Sequence, residues 1–305
     1  MSSVESMDER FADVGDGITL CYETFGEPSD PTVLLVMGLG TQMVAWHEDF
    51  CRELAGRGYH VVRFDNRDIG RSTHLDHLPP PTIGQLLRRS TRRAAYRLTE
   101  MARDAAGLLD HLGVESAHVV GASMGGMIAQ SLAAAAPERV LSLTSIMSNT
   151  GNRWSGQPAL RLYPIFLRRP GRDRDEFVEH TVRLYRLIGS PGFERSDQDL
   201  REMAALSFER GHDPAGSARQ LGAIIASGDR TAELRAIDVP TLVIHGDADR
   251  LVAPSGGRAT AKAISGARLL TIEGMGHDLP RGAWPRIIDA VEEHARAAES
   301  AALAA

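Results

Sequence analysis

The segment that most restricts the fold of this chain is residues 117–136, where the apolar run AHVVGA passes through Ser123 straight into a helical pattern, MGGMIAQSLAAAA. A run apolar at nearly every position suits a strand covered on both faces, the habit of a parallel sheet sandwiched between helices. The junction reads Gly121-Ala122-Ser123-Met124-Gly125. Turning from strand to helix around one residue forces that residue into strained dihedrals, which small neighbours at the two glycines permit, and lifts the serine hydroxyl above the sheet edge. The Met124 N–H then faces the space that a substrate carbonyl oxygen would occupy. Other short runs, ITLCYETFG, TVLLVMG, HVVRFDN, LSLTSIM, TLVIHGDAD and ARLLTIEG, alternate with helical patterns such as EDFCRELAGRG and ARDAAGLLDHLG. That alternation predicts an α/β fold with a mostly parallel central sheet flanked by helices.

The rhythm breaks between about Asn149 and Asp238, where strand signals vanish. There Phe177, Thr181, Leu184, Tyr185 and Ile188 fall on one helical face, as do Leu200, Met203 and Leu206. We read residues 149–238 as an inserted helical cap between two parts of the core, 1–148 and 239–305. Pro240 marks the return to the sheet, since proline suits the start of a strand. The alanine-rich tail AAESAALAA is expected to fray beyond the last helix.

Charge and cysteine usage narrow the function. With 34 basic and 40 acidic side chains the formal charge is −6, so nothing draws the protein as a whole toward nucleic acid. The two cysteines, Cys21 and Cys51, are too few for a disulfide framework and lack zinc-ligand spacing; both are expected to be buried thiols. No window approaches the roughly 20 apolar residues of a membrane span, and no cationic stretch followed by an apolar run opens the chain, so a cytoplasmic address is the default. Only Lys262 among the basic residues is a lysine. That skew reads as coding bias, and the arginine groups Arg88, Arg89, Arg92, Arg93, Arg97 and Arg168, Arg169, Arg172, Arg174 are accordingly read as solvated faces; the sharper alternative is attraction to an anionic interface or acidic substrate. His74 and His77 lack a third ligand nearby and read as loop residues; no metal site is expected.

A serine hydroxyl is a weak nucleophile near neutral pH and requires a base, itself oriented by an acid. Downstream, Asp247 and Asp249 follow the buried run TLVIHG, and His277 lies in a glycine-flanked turn after ARLLTIEG. These motifs, G-x-S-x-G, H-G-x-x-D-x-x-V and G-H in that order, resemble those of the α/β-hydrolases. The resemblance implies Ser123 as nucleophile, Asp249 rather than Asp247 as the acid, and His277 as the base. It also implies an oxyanion hole built from the amides of Met124 and Leu39, the latter in Met37-Gly38-Leu39-Gly40 where the family usually carries His-Gly. Methionine there removes a hydrogen bond that braces the loop. The turn from Asp65 through Arg67 and Gly70 to Ser72 is similar to the family's D-x-R-G-x-G-x-S, with Asp68 where glycine is commoner, and is read as structural. Together the two departures resemble a subgroup of serine esterases that includes the anthracycline methylesterases and bacterial lipase-like esterases.

The function so implied is cleavage of a small-molecule carboxylic ester through an acyl-enzyme, with no cofactor. Serine at the nucleophile position argues against the related dehalogenases and epoxide hydrolases, which use aspartate. Thioesterase or lactonase activity, carbon–carbon bond hydrolysis and cofactor-free haloperoxidase chemistry share the triad, and a non-catalytic ligand-binding protein could keep the fold. In the cap, Leu160, Leu162, Tyr163, Ile165, Phe166 and Leu167, broken at Pro164, are expected to line a pocket for an apolar acyl or aromatic part above Ser123, or to fasten the cap to the core. Oligomeric state is not readable from these features.

Overall fold

A computed structural model describes residues 8–82, 84–85, 94–162, 165 and 173–304. Strands β1 (Arg10–Asp13), β2 (Thr19–Phe25), β3 (Thr32–Val36), β4 (His60–Phe64), β5 (Ala117–Ala122), β6 (Val140–Ile146), β7 (Thr241–Gly246) and β8 (Arg268–Ile272) form one eight-stranded sheet in the order β1-β2-β4-β3-β5-β6-β7-β8. The first two strands run antiparallel to their neighbours, and β3 through β8 are mutually parallel. β1 has no counterpart among the predicted runs: three of its four residues are exposed, and its outward Phe11 breaks any apolar signature.

Because side chains alternate along a strand, the inner strands feed two cores. Leu34, Val36, Val62, Phe64 and Val119 join one cluster, which packs under α2 (Leu98–His111) and α3 (Met124–Ala135). Val33, Leu35, Val61, Val120 and Ile146 join the other, beneath α1 (Glu48–Ala55) and the C-terminal helix. Helix α3 is apolar or small on nearly every side and is buried accordingly.

Between β6 and β7 the chain is helical: α4 (Arg174–Ile188), α5 (Asp197–Arg210), α6 (Pro214–Ser227) and the single turn α7 (Thr231–Leu234). Their starts follow local chemistry. The side chains of Asp173, Ser196 and Asp213 accept from Glu176, Asp199 and Ala215 N–H groups at 2.9–3.0 Å, and Pro214 occupies the first turn of α6. α4 buries Val178, Val182 and Ile188, with Phe177 and Tyr185 half-buried, and α5 buries Ala204, Ala205 and Arg210, with Leu200, Met203 and Leu206 half-buried and Leu206 packed against Cys21, Met43 and Val44. The two ends of the segment meet. Arg230 N–H donates to Thr150 O at 2.8 Å, and its buried guanidinium binds Asn149 O at 2.7 Å, Met127 O at 3.1 Å and Gln130 Oε1 at 2.8 Å.

α8 (Ser255–Ala263) and α9 (Trp284–Ala304) complete the chain. The alanine-rich tail does not fray: α9 runs on to Ala304, Ala298 is buried, and Glu299 bonds His118 at 3.0 Å. Both cysteines are free, buried thiols, each pushed up to about 12 by burial. Among the described residues no helix is long and apolar enough to cross a membrane.

Candidate active site

Ser123 stands between β5 and α3 at φ 57° and ψ −119°, a left-handed conformation that costs a side-chain-bearing residue about 1–3 kcal/mol. Its neighbours hold it there. Ser123 N–H donates to Ile146 O at 2.9 Å, and its carbonyl accepts from Met127 N–H at 3.2 Å. Tight packing explains the flanking glycines: a Cβ on Gly121 would lie 2.2 Å from Gly125 O, and one on Gly125 would lie 2.0 Å from Val36 O. The turn is therefore wedged against the end of β3, whose following loop contains Leu39.

The parallel strands place the other candidates at the same edge. Past β7, Asp249 folds back so that Oδ1 accepts from the Leu251 and Val252 N–H groups at 2.9 Å. Its Oδ2 lies 2.8 Å from His277 Nδ1 and 3.4 Å from His245 Nε2. Burial would push this carboxyl up, but the charge of His277 and hydrogen bonds from His245 and His277 outweigh it and hold Asp249 down at about 2. An ionised Asp249 can only accept, so Nδ1 presents its N–H to it, and in the neutral form of the ring Nε2 is the acceptor. That nitrogen is 3.0 Å from Ser123 Oγ.

Asp247 does different work. It is exposed, and its Oδ1 accepts from Gly274 N–H at 2.7 Å, bracing the turn that carries His277. The same turn is held from the helical segment: His277 N–H donates to Ile188 O at 2.7 Å, and Gly276 N–H donates to Ser190 Oγ at 2.8 Å. Ser190 in turn donates to Asp278, whose carboxyl burial raises despite that bond and the nearby His277.

Leu39 lies after β3, half-buried against the core. The brace expected to be missing from this loop is supplied elsewhere. Asn66 Nδ2 donates to Met37 O at 2.9 Å, and Gly40 N–H donates to Gln220 Oε1 on α6 at 2.9 Å.

The turn from Asp65 to Ser72 is structural, as read, but its partners were not foreseen. Asp68 takes φ 68°, which glycine adopts freely, and its fully buried carboxylate receives Arg219 Nε and Nη2 at 2.9 and 2.7 Å and the Tyr96 hydroxyl at 2.7 Å. Asp65 likewise receives Arg210 Nη2 at 2.8 Å. The local signal was available: an aspartate where glycine is commoner, buried beneath a helical segment, calls for a cationic partner. His74 sits with Asp68 and Asp213 in a group whose ligand atoms lie within 4.8 Å of one another. The Arg219 guanidinium, 3.2 Å from Asp213 Oδ2, already supplies positive charge there, and His74 Nδ1 pairs with the same oxygen at 2.8 Å.

Of the segment expected to line a pocket, Leu162 is buried, Ile165 is half-buried and Leu160 is 85% exposed; Tyr163, Pro164, Phe166 and Leu167 lie outside the described residues. So do Arg88, Arg89, Arg92, Arg93, Arg168, Arg169 and Arg172. Arg174 pairs with Glu209 at 3.1 Å near the surface.

Sheet order, elbow and strand-end residues are those of the α/β-hydrolase fold, and the chain belongs to that family, whose sequence pattern matches residues 31–280. More particularly, it is 31% identical over 304 residues to rhodomycin D methylesterase of Streptomyces peucetius, covering 93% of this chain and 97% of that one. The rhodomycin D methylesterase of Streptomyces sp. (strain C5) is 32% identical over the same shares. Among solved structures, a hydrolase from Pseudomonas aeruginosa aligns with a TM-score of 0.69 at 25% identity, over 96% of this chain and 98% of that chain.

Proposed function

We propose that the protein is a serine esterase that cleaves carboxylic esters, methyl esters first among them, through Ser123, His277 and Asp249. The observation that carries this reading is the continuous hydrogen-bonded chain from Ser123 Oγ to His277 at 3.0 Å and from His277 to Asp249 at 2.8 Å. The names of the two methylesterase relatives favour a methyl ester. Residues 149–238 act as a cap over a core made of 1–148 and 239–305, and the substrate carries an apolar acyl or aromatic part.

Ser123 Oγ attacks the ester carbonyl while His277 Nε2 takes its proton. Asp249, already ionised, stabilises the imidazolium that forms and keeps the ring in its tautomer. The carbonyl electrons move to oxygen, where the amides of Leu39 and Met124 donate to the oxyanion from fixed positions. As the tetrahedral species collapses, His277 returns the proton to the departing alkoxide and the alcohol leaves. Water, deprotonated by the same imidazole, attacks the acyl-enzyme, and collapse of the second tetrahedral species releases the acid and restores Ser123. The chain supplies nucleophile, base and electrostatic stabilisation for every step.

A fluorophosphonate probe followed by peptide mass spectrometry tests the reading: label is expected on Ser123, and label elsewhere, or none, overturns it. Asp249→Asn is expected to lower kcat by about 10⁴-fold, and Asp247→Asn by far less, because only the former disturbs the tautomer of the base.

A further inference from the structure

We propose that Gln220, on the helical segment, is a positioning residue that sets the direction of the Leu39 N–H; the proposal rests on the reading above that this amide binds the oxyanion. Gln220 is fully buried, and both ends of its side chain are used. Oε1 accepts from Gly40 N–H at 2.9 Å and Nε2 donates to Arg67 O at 2.8 Å. The orientation of the amide is forced, because a backbone N–H can only donate and a backbone carbonyl can only accept.

The geometry of two successive peptide planes links this bond to Leu39. The plane joining Leu39 to Gly40 is pinned at both ends: its N–H by Gln220 and its carbonyl by Thr41 Oγ1, which donates to Leu39 O at 3.1 Å. The preceding plane, joining Gly38 to Leu39, is held at its carbonyl, which accepts from Thr41 N–H at 3.3 Å. In a trans peptide the C=O and N–H point in opposite directions, so anchoring the carbonyl aims the amide. Among the described residues the Leu39 N–H has no protein acceptor, as a donor reserved for a ligand would not. Gly40 takes φ 63°, and a Cβ there would lie 3.1 Å from Ser217 Oγ, one turn before Gln220 on α6. The loop and the helix are thus fitted closely together. Arg219, the adjacent residue, fixes the helix to Asp68 through two hydrogen bonds. The helical segment therefore determines how one half of the oxyanion hole is aimed.

Steady-state kinetics of Gln220→Leu and Thr41→Val on one ester, with inhibition by a trifluoromethyl ketone that forms an oxyanion adduct on the serine, tests this. Gln220→Leu should lower kcat by roughly 10–100-fold, somewhat less than outright loss of a donor, with KM within about twofold. Ketone inhibition should weaken by the same factor. Thr41→Val, which loosens the other end of the same plane, should cost roughly 3–10-fold by the same route, and the double variant less than the product of the two. Thermal melts and phosphonate titration of active sites count the folded fraction. If folded Gln220→Leu keeps kcat and ketone affinity within twofold of wild type while its melting temperature falls, the residue is only structural and the proposal is overturned. Should Gln220→Leu fail to fold, Thr41→Val decides alone, unchanged kcat overturning the proposal. Absence of Ser123-dependent turnover in the wild type would remove the esterase reading and this inference together; turnover indifferent to both variants removes only the inference.

Discussion

The sheet is held by apolar packing, and the helices between β6 and β7 add buried ionic pairs to it. On both faces of the sheet, cohesion comes from large apolar clusters in which Phe64, Leu34, Trp46 and Ile288 have no exposed surface. The helical segment has a small apolar cluster of its own, Val178, Ala204 and Ala205, and meets the core both through apolar side chains, Ala223, Leu234 and Ile237, and through buried arginines: Arg210 on Asp65, Arg219 on Asp68, and Arg230 on backbone carbonyls. Apolar contact is non-directional, whereas a paired guanidinium fixes angle and register at little net gain in stability. In the attachment of the segment the apolar contacts therefore give strength and the arginines give direction.

That contrast can be broken first at Arg219. Arg219→Met leaves the Asp68 carboxylate buried without its cation and should destabilise the protein by about 3–5 kcal/mol in chemical denaturation. Adding Asp68→Gly should restore most of the loss, since glycine adopts the backbone conformation at φ 68° without strain. Phe64→Ala in the sheet core should cost a similar ~3–5 kcal/mol through the cavity it leaves, and no polar second substitution should rescue it. If the two losses respond alike to second-site changes, the distinction between the regions fails.

Acid titration gives the next largest effect. Asp249 is held at about 2 against an ordinary value of 3.8. Its contribution, about 2 kcal/mol, is thus present above pH ~4 and lost as pH falls toward 2. Asp278, raised by burial, has the opposite sign and favours the fold on the acid side. Asp249→Asn should accordingly flatten the loss of stability below pH ~4, measured by denaturation at each pH. The smallest effect belongs to the surface: removing the exposed Glu48 partner of Arg52 by Glu48→Ala should change stability by about 0.5 kcal/mol or less.

The seven longer strands were legible because each carries a short run rich in β-branched or apolar residues, and β1 was not because its one buried side chain is Ala12. Ser123, Asp249 and His277 were legible because each follows an apolar run, and parallel strands bring such positions to one edge. The attachment of the helical segment was not. Discounting arginine as coding bias hid Arg210, Arg219 and Arg230, whose charges are buried against hydropathy. Gln220 carries no pattern of its own: its partners are backbone groups distant in the chain, which side-chain periodicity does not encode.

The clasp formed by Arg230 makes the residues between Thr150 and Arg230 a loop with a tied neck. Unfolding such a loop need not pull β6 from β7, because the crossing of its two ends is secured by bonds to Asn149 and Thr150 on one side and to α3 on the other. Substitution within the loop is thus free only where it spares the bonds that Ile188, Ser190, Arg219 and Gln220 make to the turns at the strand ends.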